Sequence, residues 1–199
     1  MAVTNLRRKS TRGAISWRIL VPVLLLIAAA TAAGVIFVPK VLDDSAPVTE
    51  ETSEEPAPTG EEFVNDDGGY SFEHPPDWQV ASDGSVSDVE SPDNEAIVSF
   101  GIAPEGDLLV ASDRLMALLR ESYEGLELAE EDVQSFGNDL AMVRSGNAAS
   151  GNEDLRFQTV VIKTSEGNYA ITSFATTDEG IRYMTDIDTM MRSFDIVVE

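Results

Sequence analysis

The chain has 199 residues, and its 36 acidic against 13 basic side chains leave a formal charge of −23. So negative a surface is repelled by phosphate backbones and anionic headgroups, which excludes nucleic-acid binding. Cysteine is absent, which excludes disulfides, thiolate zinc sites, thiol catalysis and a lipid-modified cysteine anchor.

Residues 1–18 carry Arg7, Arg8, Lys9, Arg12 and Arg18 with no acidic residue among them. An uncharged apolar run follows from Ile19 to Val38. About 20 residues at 1.5 Å each cross the hydrocarbon core of a bilayer as one helix. Lys and Arg beside a first span stay cytoplasmic. We therefore expect a basic cytoplasmic tail over 1–18, a transmembrane signal-anchor helix over 19–39, and all later residues outside the cytoplasm. The alternative is a cleaved signal peptide, since Ala30-Thr31-Ala32 resembles a small-residue cleavage site. The apolar run continues past it to Val38, longer than a usual signal core, and this favours retention. Both alternatives export the same domain. Arg7-Arg8 is read as part of the positive-inside signal rather than as a twin-arginine export motif.

Residues 40–62 are acidic and rich in Pro, Ser and Thr, with almost no large apolar side chain. Such a segment buries too little surface to offset its chain entropy and is expected to be a disordered tether. It reads as a spacer lifting the domain from the membrane, or more sharply as an acidic lure for a basic partner. All 36 acidic residues follow Lys40, against seven basic ones there: Arg114, Arg120, Arg144, Arg156, Lys163, Arg182 and Arg192.

Residues 63–199 are the right length for one domain. Gly69-Tyr70-Ser71-Phe72-Glu73 alternates and predicts a strand burying Tyr70 and Phe72. Pro75-Pro76 ends it, and Trp78-Gln79-Val80 resumes an extended path. Val86 and Val89 mark a short strand, Pro92-Asp93-Asn94 a turn, and residues 96–102 a strand. Asp107 or Ser112 caps a helix running to Glu124 and stopping at Gly125, with Leu108, Leu115, Leu118 and Leu119 inward. Strands then fall at Leu126/Leu128, Leu140/Met142, Phe157/Thr159/Val161 and Tyr169 to Phe174. Residues 146–152, rich in Gly, Asn, Ala and Ser, are expected as a loop, and Glu166-Gly167-Asn168 as a hairpin turn. Asp178 caps a closing helix with Ile181, Met184, Ile187 and Met191 on one face, and Ser193 to Val197 is an extended tail. This order predicts an α+β fold: an antiparallel sheet flanked by helices, preceded by one transmembrane helix.

The run Tyr70-Ser71-Phe72-Glu73-His74-Pro75-Pro76-Asp77-Trp78 is aromatic-x-aromatic, then proline, then tryptophan. It resembles the opening of the PsbP-like superfamily. The closing helix running into Ser193-Phe194 is similar to that superfamily's end, so the resemblance spans nearly all of the exported domain. It implies an α/β/α sandwich. The superfamily includes a photosystem subunit, a Ran-binding nuclear import factor and exported actinobacterial envelope proteins, which share docking on other proteins rather than a reaction. The actinobacterial lipoproteins are nearest in architecture, and this chain departs from them in lacking a lipidated cysteine. None of the superfamily's binding residues aligns to a position here, and none is carried over.

Candidate chemistry is sparse. His74, the one histidine, lies in a proline-rich turn and reads as a half-exposed structural residue rather than a base beside Asp77 or Glu73. Asp66-Asp67-Gly68 and Asp83-Gly84 lack the spacing of an EF-type calcium loop and read as solvated turns. Glu130-Glu131-Asp132 holds the carboxylates that a glycoside hydrolase would pair, but on so acidic a chain such clusters arise without function. Met184, Met190 and Met191 read as core filling ahead of a docking surface. No catalytic, cofactor-binding or metal-binding residue is assigned, and no cofactor is expected. The expected role is a non-catalytic binding module of the cell envelope that recognises another protein. A carboxylate-dependent hydrolase of wall or glycan material and a small-ligand sensor are the alternatives.

Overall fold

The computed structural model describes residues 60–197. The expected membrane helix over 19–39 and nearly all of the expected tether over 40–62 lie outside the described residues. Among those described, no helix is long and apolar enough to cross a membrane.

Elements follow in the order β1 (Glu61–Asn65), β2 (Tyr70–His74), β3 (Gln79–Asp83), β4 (Val86–Glu90), β5 (Ala96–Ile102), α1 (Leu108–Ser122), β6 (Glu124–Phe136), β7 (Asp139–Ser150), β8 (Glu153–Lys163) and β9 (Asn168–Thr176). A 3-10 turn (Gly180–Tyr183), α2 (Met184–Arg192) and β10 (Asp195–Ile196) close the domain. Seven strands form one sheet in the order β3-β4-β5-β9-β8-β7-β6, and β1-β2-β10 form a small second sheet. The pairings are antiparallel throughout.

Strands β5 and β9 are apolar on both sides because both faces of the large sheet are covered at its centre. On one face α1 lays Ala111, Leu115, Met116 and Leu119 over Ile97, Phe157, Val161 and Phe174. On the other, α2 and the small sheet bury Ile187, Met190 and Met191 with Tyr70, Phe72, Val98, Phe100 and Ile171. The expected sandwich is therefore present, with the small sheet sharing a layer with α2.

The aromatic motif supplies the second core. The Phe72 ring stacks on Phe100 with centroids 4.0 Å apart, and Phe194 lies parallel to Phe100 at 6.1 Å. Trp78 meets Tyr183 edge-on at 5.3 Å. Ser193 Oγ accepts from the Glu73 amide at 2.8 Å and donates to the Met190 carbonyl at 2.8 Å, tying the end of α2 to β2. The small sheet is keyed to the large one by Tyr70, whose hydroxyl donates to the Phe100 carbonyl at 3.0 Å. Burial pushes that phenol up to about 12.

Several expectations are corrected. Residues 146–150 belong to β7 and not to a loop; the turn is Gly151-Asn152 alone. Gly146 is there for space, since a Cβ would sit 2.0 Å from the Glu127 carbonyl oxygen and 2.9 Å from the Phe157 ring. Helix α1 is capped by Asp107, whose Oδ1 accepts from the Val110 amide at 2.9 Å, but it ends at Ser122 rather than Glu124. Tyr123 turns extended there and stacks on Phe174 at 4.3 Å, so core packing stops the helix before Gly125 does. Gly125, at φ +58°, instead serves the irregular start of β6. Asp178 caps nothing. The Gly180 amide is taken by Thr176 Oγ1 at 2.9 Å, and a 3-10 turn precedes α2. Ile181, expected inward, falls on that turn and is exposed. Strand β1 takes in Glu61 and Glu62, ahead of the first strand expected from the sequence.

Candidate functional site

Alternation along the strands places two polar rows across the large sheet, one on each face. On the α1 face the register aligns Glu131, Arg144, Thr159, Thr172, Ser99 and Asp88 on successive strands. Arg144 is 5 % exposed and bridges two elements, with Nη2 2.8 Å from Asp113 on α1 and Nε 2.6 Å from Glu131 on β6. At the far end Asp88 is buried and accepts from the Ser99 hydroxyl. Its other oxygen has no partner among the described residues, nor do the hydroxyls of Thr172, Ser112 and Tyr123. Burial outweighs the Ser99 bond and raises the Asp88 carboxyl to about 6, with the charge of Glu90 adding to the rise. Burial, then the charge of Asp88, pushes the Tyr123 phenol up. From Arg144 to Asp88 this row is buried, so it shapes the core and offers no access to a substrate.

On the α2 face the next row aligns Glu130, Ser145, Gln158 and Ser173. Helix α2 packs on β9 and, with the small sheet, also buries Ala141, Val160 and Ile162, while Ser145 and Gln158 toward β6 stay partly exposed. A groove of about 470 Å³ results, floored by Ser145, Gln158 and Ser173, walled by Met184 on α2 and by Glu130 and Asp132 on β6. Arg156, which pairs with Asn147 in register, stands exposed at its end. Toward the other end the floor turns apolar through Val143 and Val160, and the groove continues for about 300 Å³ between Phe136 and the Asp188–Arg192 flank of α2. The site can accept hydrogen bonds, donate them and hold apolar groups. It presents no nucleophile–base pair.

The residues weighed from the sequence do not converge here. His74 is buried rather than half-exposed, its Nδ1 2.9 Å from the Pro75 carbonyl, on the opposite side of α2 beside the aromatic core. Asp66 and Asp67 are exposed in the β1–β2 turn, whose shape is set by Asn65 Oδ1 accepting from the Gly68 amide at 2.7 Å. Asp83, the last residue of β3, and Gly84 in the β3–β4 turn are exposed. Among the described residues no group of three or more acidic or histidine side chains is placed to hold a metal ion. Glu130 and Asp132 do line the groove, but Glu131 between them faces the other way, to Arg144. Met190 and Met191 fill the core, and Met184 borders the groove. Sequence reasoning missed Ser145, Gln158 and Ser173. The available signal was a polar residue at alternate positions inside strands otherwise apolar on both faces.

No family model matches the chain, and a search of curated proteins returns no match. Solved structures do match. The solution structure of cyanobacterial PsbP (CyanoP) from Synechocystis sp. PCC 6803 overlaps with a TM-score of 0.52 at 16% identity, covering 76% of this chain and 99% of that one. The domain has the PsbP-like fold. Other overlaps are looser. The Ran-binding protein Mog1p of Saccharomyces cerevisiae gives a TM-score of 0.49 at 11% identity, over 70% of this chain and 96% of that one. LpqN of Mycobacterium tuberculosis, involved in cell envelope biogenesis, gives 0.41 at 12% identity, over 72% and 88%.

Proposed function

We propose that this chain is a non-catalytic accessory module of the cell envelope, held on the membrane by residues 19–39, spaced from it by residues 40–62, and docked on another protein through the PsbP-like domain. The observation that carries the docking role is the open groove between α2 and β6. Its floor is a fixed row of uncharged hydrogen-bonding side chains, suited to reading the surface of a partner. Placement in the envelope-protein branch rests on the anchor and the tether, with a membrane helix standing where a lipidated cysteine would serve.

A photo-crosslinking side chain put at Gln158 of the full chain, in intact cells, tests the docking role. A discrete crosslinked protein from Gln158, absent when the probe replaces exposed Asp67, is the expected outcome. Turnover of a wall or glycan substrate that Glu130→Gln or Asp132→Asn abolishes would overturn it.

A further inference from the structure

The large sheet ends at β6, and among the described residues no strand pairs with its outer edge. An unpaired edge is a template for another extended chain. Strand β6 differs from the other open edges, β1 and β3 of five residues each and β10 of two; it has 13. Its pairing with β7 shifts register twice before Glu130, which deters pairing along that half, and then runs regularly through residues 130–136. Over that regular half the two faces differ in chemistry. Glu130, Asp132 and Gln134 look toward the α2 side, and Glu131, Val133 and Ser135 toward the α1 side. Val133 is 51% exposed and pairs with buried Met142, and Leu140, 57% exposed, lies diagonally across from it opposite Ser135.

We propose that the outer edge of residues 130–136 accepts an extended segment of a partner protein as an added strand, with basic residues beside Glu130 and Asp132 and apolar residues beside Val133. The proposal rests on the docking role above and names the partner's chemistry. Charge selects the occupant. Strand β6 carries Glu124, Glu127, Glu130, Glu131 and Asp132, of which Glu131 is held by Arg144. A second copy of the same edge would set carboxylates against carboxylates, and directly opposed like charges destabilise a strand pair. The acidic stretch over 40–62 meets the same repulsion. A segment alternating Lys or Arg with aliphatic residues matches both faces at once, since side chains alternate at every residue.

The test uses the full-length chain in detergent micelles with a synthetic peptide of alternating lysine and valine, read by amide hydrogen exchange. Alternate amides within 130–136, those turned away from β7, are expected to exchange about tenfold more slowly with the peptide bound. A glutamate–valine peptide leaves them unchanged. The double variant Glu130→Lys/Asp132→Lys loses the protection, and Glu61→Lys/Glu62→Lys on β1 keeps it. Equal protection by both peptides, or protection surviving in Glu130→Lys/Asp132→Lys, overturns the proposal. So does an edge already protected before peptide is added, which would mean that residues 1–59 or a second copy occupy it. In each of these cases crosslinking from Gln158 still stands or falls alone, so strand addition and docking fail separately.

Discussion

Asp88 and Arg144 stand in the same row of side chains and meet opposite fates. Arg144 finds two carboxylates at 2.6 and 2.8 Å, both reaching in from half-exposed or exposed positions. Asp88 finds one hydroxyl. Four strand spacings separate the two, about 19 Å, too far for the guanidinium to hold the carboxylate ionised. Burial therefore decides, and the Asp88 carboxyl titrates at about 6. The sign follows from linkage. The folded state binds this proton more tightly than the unfolded chain, so the stabilisation is complete below about pH 4 and is lost as pH rises through about 6. The loss is about 3 kcal/mol, from roughly two pKa units at 1.36 kcal/mol each. Asp88→Asn keeps the shape and removes the charge. Urea unfolding at pH 4 and pH 7 should show the variant gaining on the parent as pH rises, and at least matching it at pH 7. A variant weaker at pH 7 by the same margin as at pH 4 would mean that burial does not govern this carboxyl.

At the scale of elements, Gly146 fixes how β6 lies on β7. The Glu127 carbonyl approaches where a Cβ would stand, between the two register shifts of β6. Gly146→Ala forces those strands apart and should cost about 1–3 kcal/mol, as overpacking does elsewhere. Gly151→Ala, with open space around it but φ at +64°, should cost less, about 1 kcal/mol. Thermal unfolding of the two variants side by side checks the order. The same glycine explains a misreading. In one dimension Gly146 resembles Gly151: both sit among small polar residues, and only the neighbouring strand reveals that one is packed and the other turns. Strands β2, β5 and β9 were legible because their apolar residues alternate or run unbroken. The N-cap at Asp107 was legible because its chemistry is local. The end of α1 was not, because Tyr123 leaves the helix to reach Phe174, a residue 51 positions along the sequence. The groove was illegible for the same reason. Ser145, Gln158 and Ser173 become one surface only through the register of three strands.

For the whole molecule, the distribution of charge matters more than its total. Five basic residues precede the apolar run, and every one of the 36 acidic residues follows it. Retaining Lys and Arg beside a first span on the cytoplasmic side sets orientation, whereas acidic residues in a long following domain contribute little. The five basic residues should therefore dictate which side the domain occupies. In the topology proposed above, a domain this acidic is repelled by anionic headgroups, which favours a groove standing clear of the bilayer. Protease added to intact cells should digest the PsbP-like domain in the parent chain. Replacing Arg7, Arg8, Lys9 and Arg12 by glutamate should leave a substantial fraction of the domain protected until the cells are opened. Digestion of parent and variant to the same extent would detach orientation from the basic tail. Protection of the parent domain in intact cells would place the groove on the cytoplasmic side and remove the envelope role with it.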